Sequence, residues 1–388
     1  MKVGLFNDTF PPTIDGVANA TLNYARCLTD MGCDTTVITP RYPHVVDNYD
    51  FRVYRYSSIP LPKKIGYRAG TLSPKALADL MGHKMDILHT HCPFASSLAA
   101  RALTARPNKP PIVFTYHTKF DIDIDIRLKN PKFRKLTRKF VLSNINAADE
   151  VWAVSDEAGS SLRTLGYEGS YRVMKNGTDF PLGKSKVEDI DEINRIFNLN
   201  PNQLVFLFVG RMMWYKNVKL IIDALKVVAD AGIDFKMFFI GDGRDRPAIE
   251  QYANNSGAAA DKTIFTGSII DREKLRAFFS RADLFLFPST YDTSGLVVRE
   301  AAACGCPSLL VKDSAASEGV VDQFSGYLTK ENANSAARVI IDAAKSGGLA
   351  KAGENAQNHV YVSWHDSVQT AHDRYGEILA AWKSKNKK

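Results

Sequence analysis

The sequence predicts an α/β protein made of two doubly wound, Rossmann-like parallel-sheet domains. Three observations predict it. Short runs rich in β-branched and aromatic residues recur along the chain, and each is followed by a longer segment with helical spacing. The runs are almost continuously apolar rather than alternating, as strands covered on both faces are. They also fall into two sets of six. The first set is VGLFND from Val3, TTVITP from Thr35, ILHTH from Ile87, IVFTYH from Ile112, VWAVS from Val151 and YRVMKNG from Tyr171. The second is LVFLFVG from Leu204, KMFFIGDG from Lys236, TIFTG from Thr263, LFLFPS from Leu284, PSLLV from Pro307 and GYLT from Gly326.

Between the sets lies a polar, charged stretch after Pro181, where a linker would pass. The expected domains are therefore residues 1–181 and 182–365, with a last helix over 366–388 packing back on the first. In open parallel sheets, ligands bind outside the carboxyl ends of the strands. Two such sheets facing one another would enclose a cleft, so function is to be sought at the strand ends.

Composition narrows the classes. The chain has 388 residues, 45% hydrophobic and 24% charged, which excludes a disordered, collagen-like or disulfide-scaffold protein. No apolar run approaches the roughly 18 to 20 residues of a membrane span, and KVGLFND at the start has no signal-peptide pattern, so a cytoplasmic location is expected. The five cysteines are scattered with no C-x-x-C pair, as reduced, packed thiols would be. Residues 1–181 hold 24 basic against 17 acidic residues, whereas 182–388 hold 26 against 25. The first half should therefore face something anionic, a membrane surface or a nucleic acid.

The strand ends carry the chemistry. DTFPPTIDG, ending at Gly16, follows the first strand and leads into a helix. His89 and His91 end the third strand, His117 the fourth, and Asn176-Gly177 the sixth. In the second half, Gly210-Arg211 ends a strand with Lys216 just beyond, and two cations near a helix N-terminus suit an anion. The strongest signal is YDTSGLVVREAAACGCP. Asp292 and Glu300 flank a turn entering a helix, and Gly295 lets backbone amides face a ligand, so one loop offers carboxylates to sugar or ribose hydroxyls and amides to a phosphate.

With the Gly16 loop, THCPF, YHTKF, NGTD, GRMMWYKN, GDG and the Asp292/Glu300 loop, the sequence resembles family-four glycosyltransferases of the GT-B fold from Met1 to the last helix. The resemblance implies retaining transfer of a sugar from a nucleotide diphosphate without a required metal. It implies that Glu300 binds the ribose, that Asp292 reaches the donor sugar, and that Arg211 and Lys216 neutralise the diphosphate. His117 would stand beside the sugar and Gly16 near the phosphate. The segment Ser294, Gly295, Leu296 and Val297 would contact sugar and phosphate, and Gly241, Thr266, Gly267 and Ile269 would form the base pocket. Two departures stand out: Asp292 is one methylene shorter than the Glu commoner in the family, and Asp15 replaces one of two adjacent glycines. The wider sequence is most similar to bacterial enzymes that glucosylate diacylglycerol, implying UDP-glucose as donor and a lipid acceptor, with a glycan as the alternative. No cofactor beyond the nucleotide-sugar substrate is implied.

Other readings attach to single features. His89, His91 and His117 at adjacent strand ends could hold zinc, but His117 has its place in the family pattern, so no metal is expected. Asp121, Asp123 and Asp125 read as a polar strand or acceptor-side loop. Met212, Met213 and Trp214 suit either a ligand or the cleft floor. Arg127, Lys129, Lys132, Arg134, Lys135, Arg138 and Lys139 follow one another with no acid between them, and Phe133, Leu136, Phe140 and Asn144 keep helical spacing on another face, a pattern for peripheral binding to an anionic membrane, unless the stripe is core. A nucleic-acid-binding protein is the competing class, but no aromatic platform interleaves the basic run, so no nucleic acid is expected. An epimerase or a phosphorylase on the same fold is a further alternative, the latter lacking a placeable lysine for pyridoxal phosphate.

Overall fold

A computed structural model describes residues 1–13, 15–61, 68–105, 109–200 and 202–386, with the side chains of Arg127 and Asn386 outside the description. The chain forms two compact units, residues 1–176 with 364–388 and residues 177–363. The division falls a few residues ahead of the boundary expected near 182, because Phe180 is 3% exposed and belongs to the second core.

The first unit holds β1 (Lys2–Phe6), α1 (Gly16–Asp30), β2 (Asp34–Pro40), β3 (Arg52–Tyr56), the antiparallel pair β4 (Ser58–Pro60) and β5 (Arg68–Gly70), α2 (Pro74–Gly82), β6 (Ile87–Thr90), α3 (Ala95–Leu103), β7 (Ile112–Tyr116), α4 (Phe120–Arg127), α5 (Pro131–Ile145), β8 (Glu150–Ala153), α6 (Asp156–Leu165) and β9 (Arg172–Val173). Its parallel sheet runs β3-β2-β1-β6-β7-β8-β9. The six expected strands are there, and β3 is an addition. As an edge strand, half exposed along RVYRY, it has no apolar run to betray it.

The second unit holds α7 (Val187–Ile196), β10 (Leu204–Val209), α8 (Val218–Asp230), β11 (Phe235–Ile240), α9 (Arg246–Asn254), β12 (Thr263–Gly267), α10 (Arg272–Arg281), β13 (Leu284–Leu286), α11 (Leu296–Ala303), β14 (Ser308–Val311), β15 (Tyr327–Thr329), α12 (Ala333–Ser346) and α13 (Leu349–His359). Its six parallel strands run β12-β11-β10-β13-β14-β15. Phe206, Phe208, Phe235, Phe238, Phe239 and Phe285 are all fully buried here. Truncating one of them to Ala would cost about 3–5 kcal/mol.

In both sheets the order reverses beside the first strand, between β1 and β6 and between β10 and β13. That reversal opens a crevice at the carboxyl ends. The last helix, α14 (Trp364–Asn386), packs on α1 within the first unit. Val368, Ala371 and Tyr375 are fully buried along it, and Arg374 grips Glu150 with two nitrogens at 2.9 and 2.5 Å.

Two local expectations are corrected. The Asp121–Asp125 segment is helix α4, not strand or loop: Phe120 and Ile124, four residues apart, bury together, and acids in the first turn suit a helix N-terminus. The basic segment is also not one helix. It breaks at Leu128–Asn130, where Asn130 caps α5 by accepting from Lys132 N at 2.9 Å and Pro131 takes the first position.

Candidate active site

In the second unit, the ends of β10, β11, β12 and β13 gather most of the expected donor residues. Beyond β10, Arg211 is exposed, and a single 3₁₀ turn, residues 214–216, buries Lys216. Asn217 closes that turn in the left-handed conformation (φ 57°) and donates to Pro288 O at 2.9 Å, tying it to the end of β13. Lys216 Nζ then donates to Asp292 Oδ1 at 2.6 Å across the switch point, with the rings of Tyr215, Phe287 and Tyr291 about the ammonium at 5.7–6.0 Å.

Burial pushes the Asp292 carboxyl up, but Lys216 and the nearby Arg211 outweigh it and hold it below the ordinary range. Ser289 lies beside the Asp292 carboxylate and helps hold it ionised, and Asp292 Oδ2 and Ser289 Oγ are buried with no further partner among the described residues.

Gly295 enters α11 at φ 52°, and a Cβ there would lie 3.0 Å from Ala316 Cα, so the turn needs glycine. No side chain caps α11, so the amides of its first turn, from Leu296 and Val297, are open to an anion. Ser294 is held from below by Arg299, buried in the same helix, whose Nη1 donates to Ser294 O at 2.6 Å. Glu300, also buried, accepts from Arg272 at 2.7 Å.

Gly241 N donates to Gly267 O at 2.9 Å, bringing the ends of β11 and β12 together, and half-buried Ile269 follows as an apolar wall. A Cβ on Gly241 would lie 2.0 Å from Gly210 O, so only glycine lets β10 and β11 approach there. Met212 is fully buried in the second core, while Met213 and Trp214 are half-buried. Cys304 and Cys306 are buried, free thiols.

At the strand ends of the first unit stand three buried histidines. His89 bonds Thr115 Oγ1 at 2.6 Å and Tyr375 Oη at 2.5 Å, and His91 Nδ1 bonds His117 Nε2 at 2.9 Å. Burial depresses all three imidazoles, His117 from 6.5 to about 3, so they are uncharged near neutrality. His91 Nε2 is buried without a hydrogen-bond partner, and no metal-holding group of His, Cys, Asp or Glu occurs among the described residues.

Gly16 opens α1, and Asp15 caps it, accepting from Val17 N at 2.9 Å and Ala18 N at 2.7 Å. That departure from the family pattern thus spends its carboxylate on the helix's own amides. Asp8, at the end of β1, accepts from Ser96 N at 3.0 Å and Oγ at 2.7 Å, and burial lifts its carboxyl to about 6.

The basic segment divides. Arg134 and Arg138 pair with Asp125 of α4 at 3.9 and 2.8 Å, while Lys129, Lys132, Lys135 and Lys139 point to solvent. The neighbouring stripe is not core: Phe133 is 61%, Leu136 63% and Phe140 39% exposed, and only Asn144 is buried. The side chain of Arg127 lies outside the described residues.

Sequence reasoning missed Arg272, Arg299, Asn217, Asp8 and Tyr375. Arg299 sits inside the strongest motif and was open to notice. Tyr375 lies 286 residues from the histidine it bonds, and no local pattern announces it.

Comparison with known proteins agrees with this architecture. Residues 14–180 match the family "Glycosyltransferase Family 4", and residues 189–359 match "Glycosyl transferases group 1". The chain belongs to the family-four glycosyltransferases of the GT-B fold. It is similar to the alpha-monoglucosyldiacylglycerol synthase of Streptococcus pneumoniae, 25% identical over 84% of this chain and 75% of that protein. The enzyme of the same name from Acholeplasma laidlawii is 22% identical over 86% and 85%. Among solved structures, Anabaena HepE in complex with UDP shares the fold at a TM-score of 0.76, with 20% identity over 98% of this chain and all of that one.

Proposed function

We propose that this glycosyltransferase moves glucose from UDP-glucose, with retention of configuration, to a hydroxyl of a membrane glycerolipid such as diacylglycerol. The observation that carries the transfer is the ion pair of buried Lys216 with half-buried Asp292 beside the uncapped N-terminus of α11, with Arg211 adjoining. In this reading the diphosphate lies against Arg211, Lys216 and the amides of Leu296 and Val297, and Asp292 Oδ2 accepts from a sugar hydroxyl. Glu300 takes the ribose, and Gly241, Thr266, Gly267 and Ile269 frame the base.

The bond from the sugar's anomeric carbon to the diphosphate breaks as the acceptor oxygen bonds the same carbon from the same face, and the acceptor's proton passes to the departing phosphate oxygen. Positive charge held where negative charge develops is the protein's main contribution. His117, neutral by burial, keeps a hydrogen-bonding role toward the sugar, and Gly16 a place near the phosphate. No metal enters this scheme.

The acceptor reading rests on α5. Exposed Phe133, Leu136 and Phe140 flanked by Lys132, Lys135 and Lys139 form an apolar strip with a cationic border, as a helix lying in an anionic bilayer surface has. No helix among the described residues is long and apolar enough to cross a membrane. In this reading α5 attaches the enzyme peripherally, on the cytoplasmic face. The test is transfer from UDP-, ADP- and GDP-sugars to diacylglycerol in anionic vesicles without added metal, with the anomeric configuration read by NMR. An α-glucosyl lipid from UDP-glucose is expected. Transfer to a soluble glycan but not to lipid would replace the acceptor, and an inverted product would overturn the mechanism.

A further inference from the structure

Glu300 does not stand alone. Its Oε1 accepts from Arg272 Nη2 at 2.7 Å, and the same nitrogen donates to Asp179. Arg272 opens α10 with its guanidinium over the Phe180 ring, 4.2 Å from the centroid, a stacking that fixes the plane of the fork. Asp179 lies in the segment by which the chain enters the second unit, two residues after Gly177. Glu300 is 7% exposed, and its carboxylate accepts no other hydrogen bond among the described residues. One oxygen is therefore taken and the other left for a ligand.

We propose that Arg272 is the positioning residue of the donor site, turning the second oxygen of Glu300 toward the ribose hydroxyls, and that Asp179 competes for the same guanidinium and so tunes that grip. The inference rests on the assignment of Glu300 to the ribose. Only the ionised carboxylate accepts hydrogen bonds on both oxygens, one from Arg272 and one from a hydroxyl, and desolvation works against that form. The groups that face it act in opposite senses: Arg272 favours the ionised form, and Asp179 opposes it. Cys304, at the end of the same helix, is pushed up to about 12 by burial and stays neutral, and Arg276 of α10 donates instead to the carbonyls of Gly183 and Lys184.

Calorimetric titration of the full chain with UDP-glucose tests this. E300Q and R272Q are each expected to bind roughly tenfold more weakly at neutral pH. R272Q should also stop distinguishing UDP-glucose from its 2′-deoxyribose analogue. The acid limb of binding should move to higher pH in R272Q and to lower pH in D179N, opposite displacements that a merely structural role would not produce. Wild-type behaviour of R272Q beside an impaired E300Q overturns the clamp and leaves the proposed function standing. If E300Q, or no wild-type titration, shows the ribose contact to be absent, both readings fall. D179N carries the test should R272Q not fold, and an unmoved acid limb there overturns the proposal.

Discussion

The two units share one strand order up to an extra seventh strand, yet they fit out their carboxyl ends in opposite ways. The second unit pairs buried Lys216 with half-buried Asp292 at the switch between β10 and β13 and leaves the N-terminus of α11 without a cap. The first fills the corresponding region with neutral histidines and closes the N-terminus of α1 with its own Asp15. The same backbone plan thus sets cations at the strand ends of one unit and, in the other, histidines kept neutral by burial and acids spent on helix amides. The difference teaches that topology says where a ligand can sit, while side-chain charge says which kind.

The comparison is most severely broken by removing the second unit's cation. K216M should lower kcat about a hundred- to thousandfold, as loss of a group stabilising transition-state charge does, with steady-state transfer as the measurement. D292N in the same background should recover stability, since it neutralises the buried carboxylate left behind, and the urea midpoint reports it.

Next comes the apolar face of α5. F133S, L136S and F140S together should weaken binding to anionic vesicles at least a hundredfold, at about 1.5–3 kcal/mol for each large side chain withdrawn from lipid. Replacing Lys132, Lys135 and Lys139 with Gln should cost about 1 kcal/mol each, an effect that fades with salt. Flotation assays read both. Unchanged binding in the first variant would make the strip an ordinary surface.

The neutral histidines sharpen the contrast through pH. His117 has a depressed pKa when folded, so the folded state binds fewer protons than the unfolded chain below 6.5. Stability from this group is therefore present above 6.5 and lost as pH falls toward 3. Urea midpoints over that range should decline less steeply in H117Q than in the wild type. The smallest expected effect is at Asp15, where D15A should destabilise the first unit by about 1 kcal/mol through loss of the cap.

Much of this was legible in the chain. Twelve strands declared themselves, most because strands covered on both faces must be apolar throughout, and the Asp292/Glu300 loop declared itself because a turn into a helix flanked by two acids is an unusual pattern. The edge strand β3 and the helix α4 did not. One is half-solvated, and the other alternates Asp and Ile in a manner that suits a strand until Phe120 and Ile124 find a common core.

The sequence by itself therefore determined twelve of the strands, their division into two sets and the residues at their carboxyl ends, since hydrophobic period and turn chemistry are local. Only the tertiary structure decided which partners those residues have. Lys216 meets Asp292 across 76 positions, Arg272 meets Glu300 across 28, and Tyr375 meets His89 across 286. Charge, burial and hydrogen bonding act through space, and the distances that matter to them are set by how strands pair and helices pack.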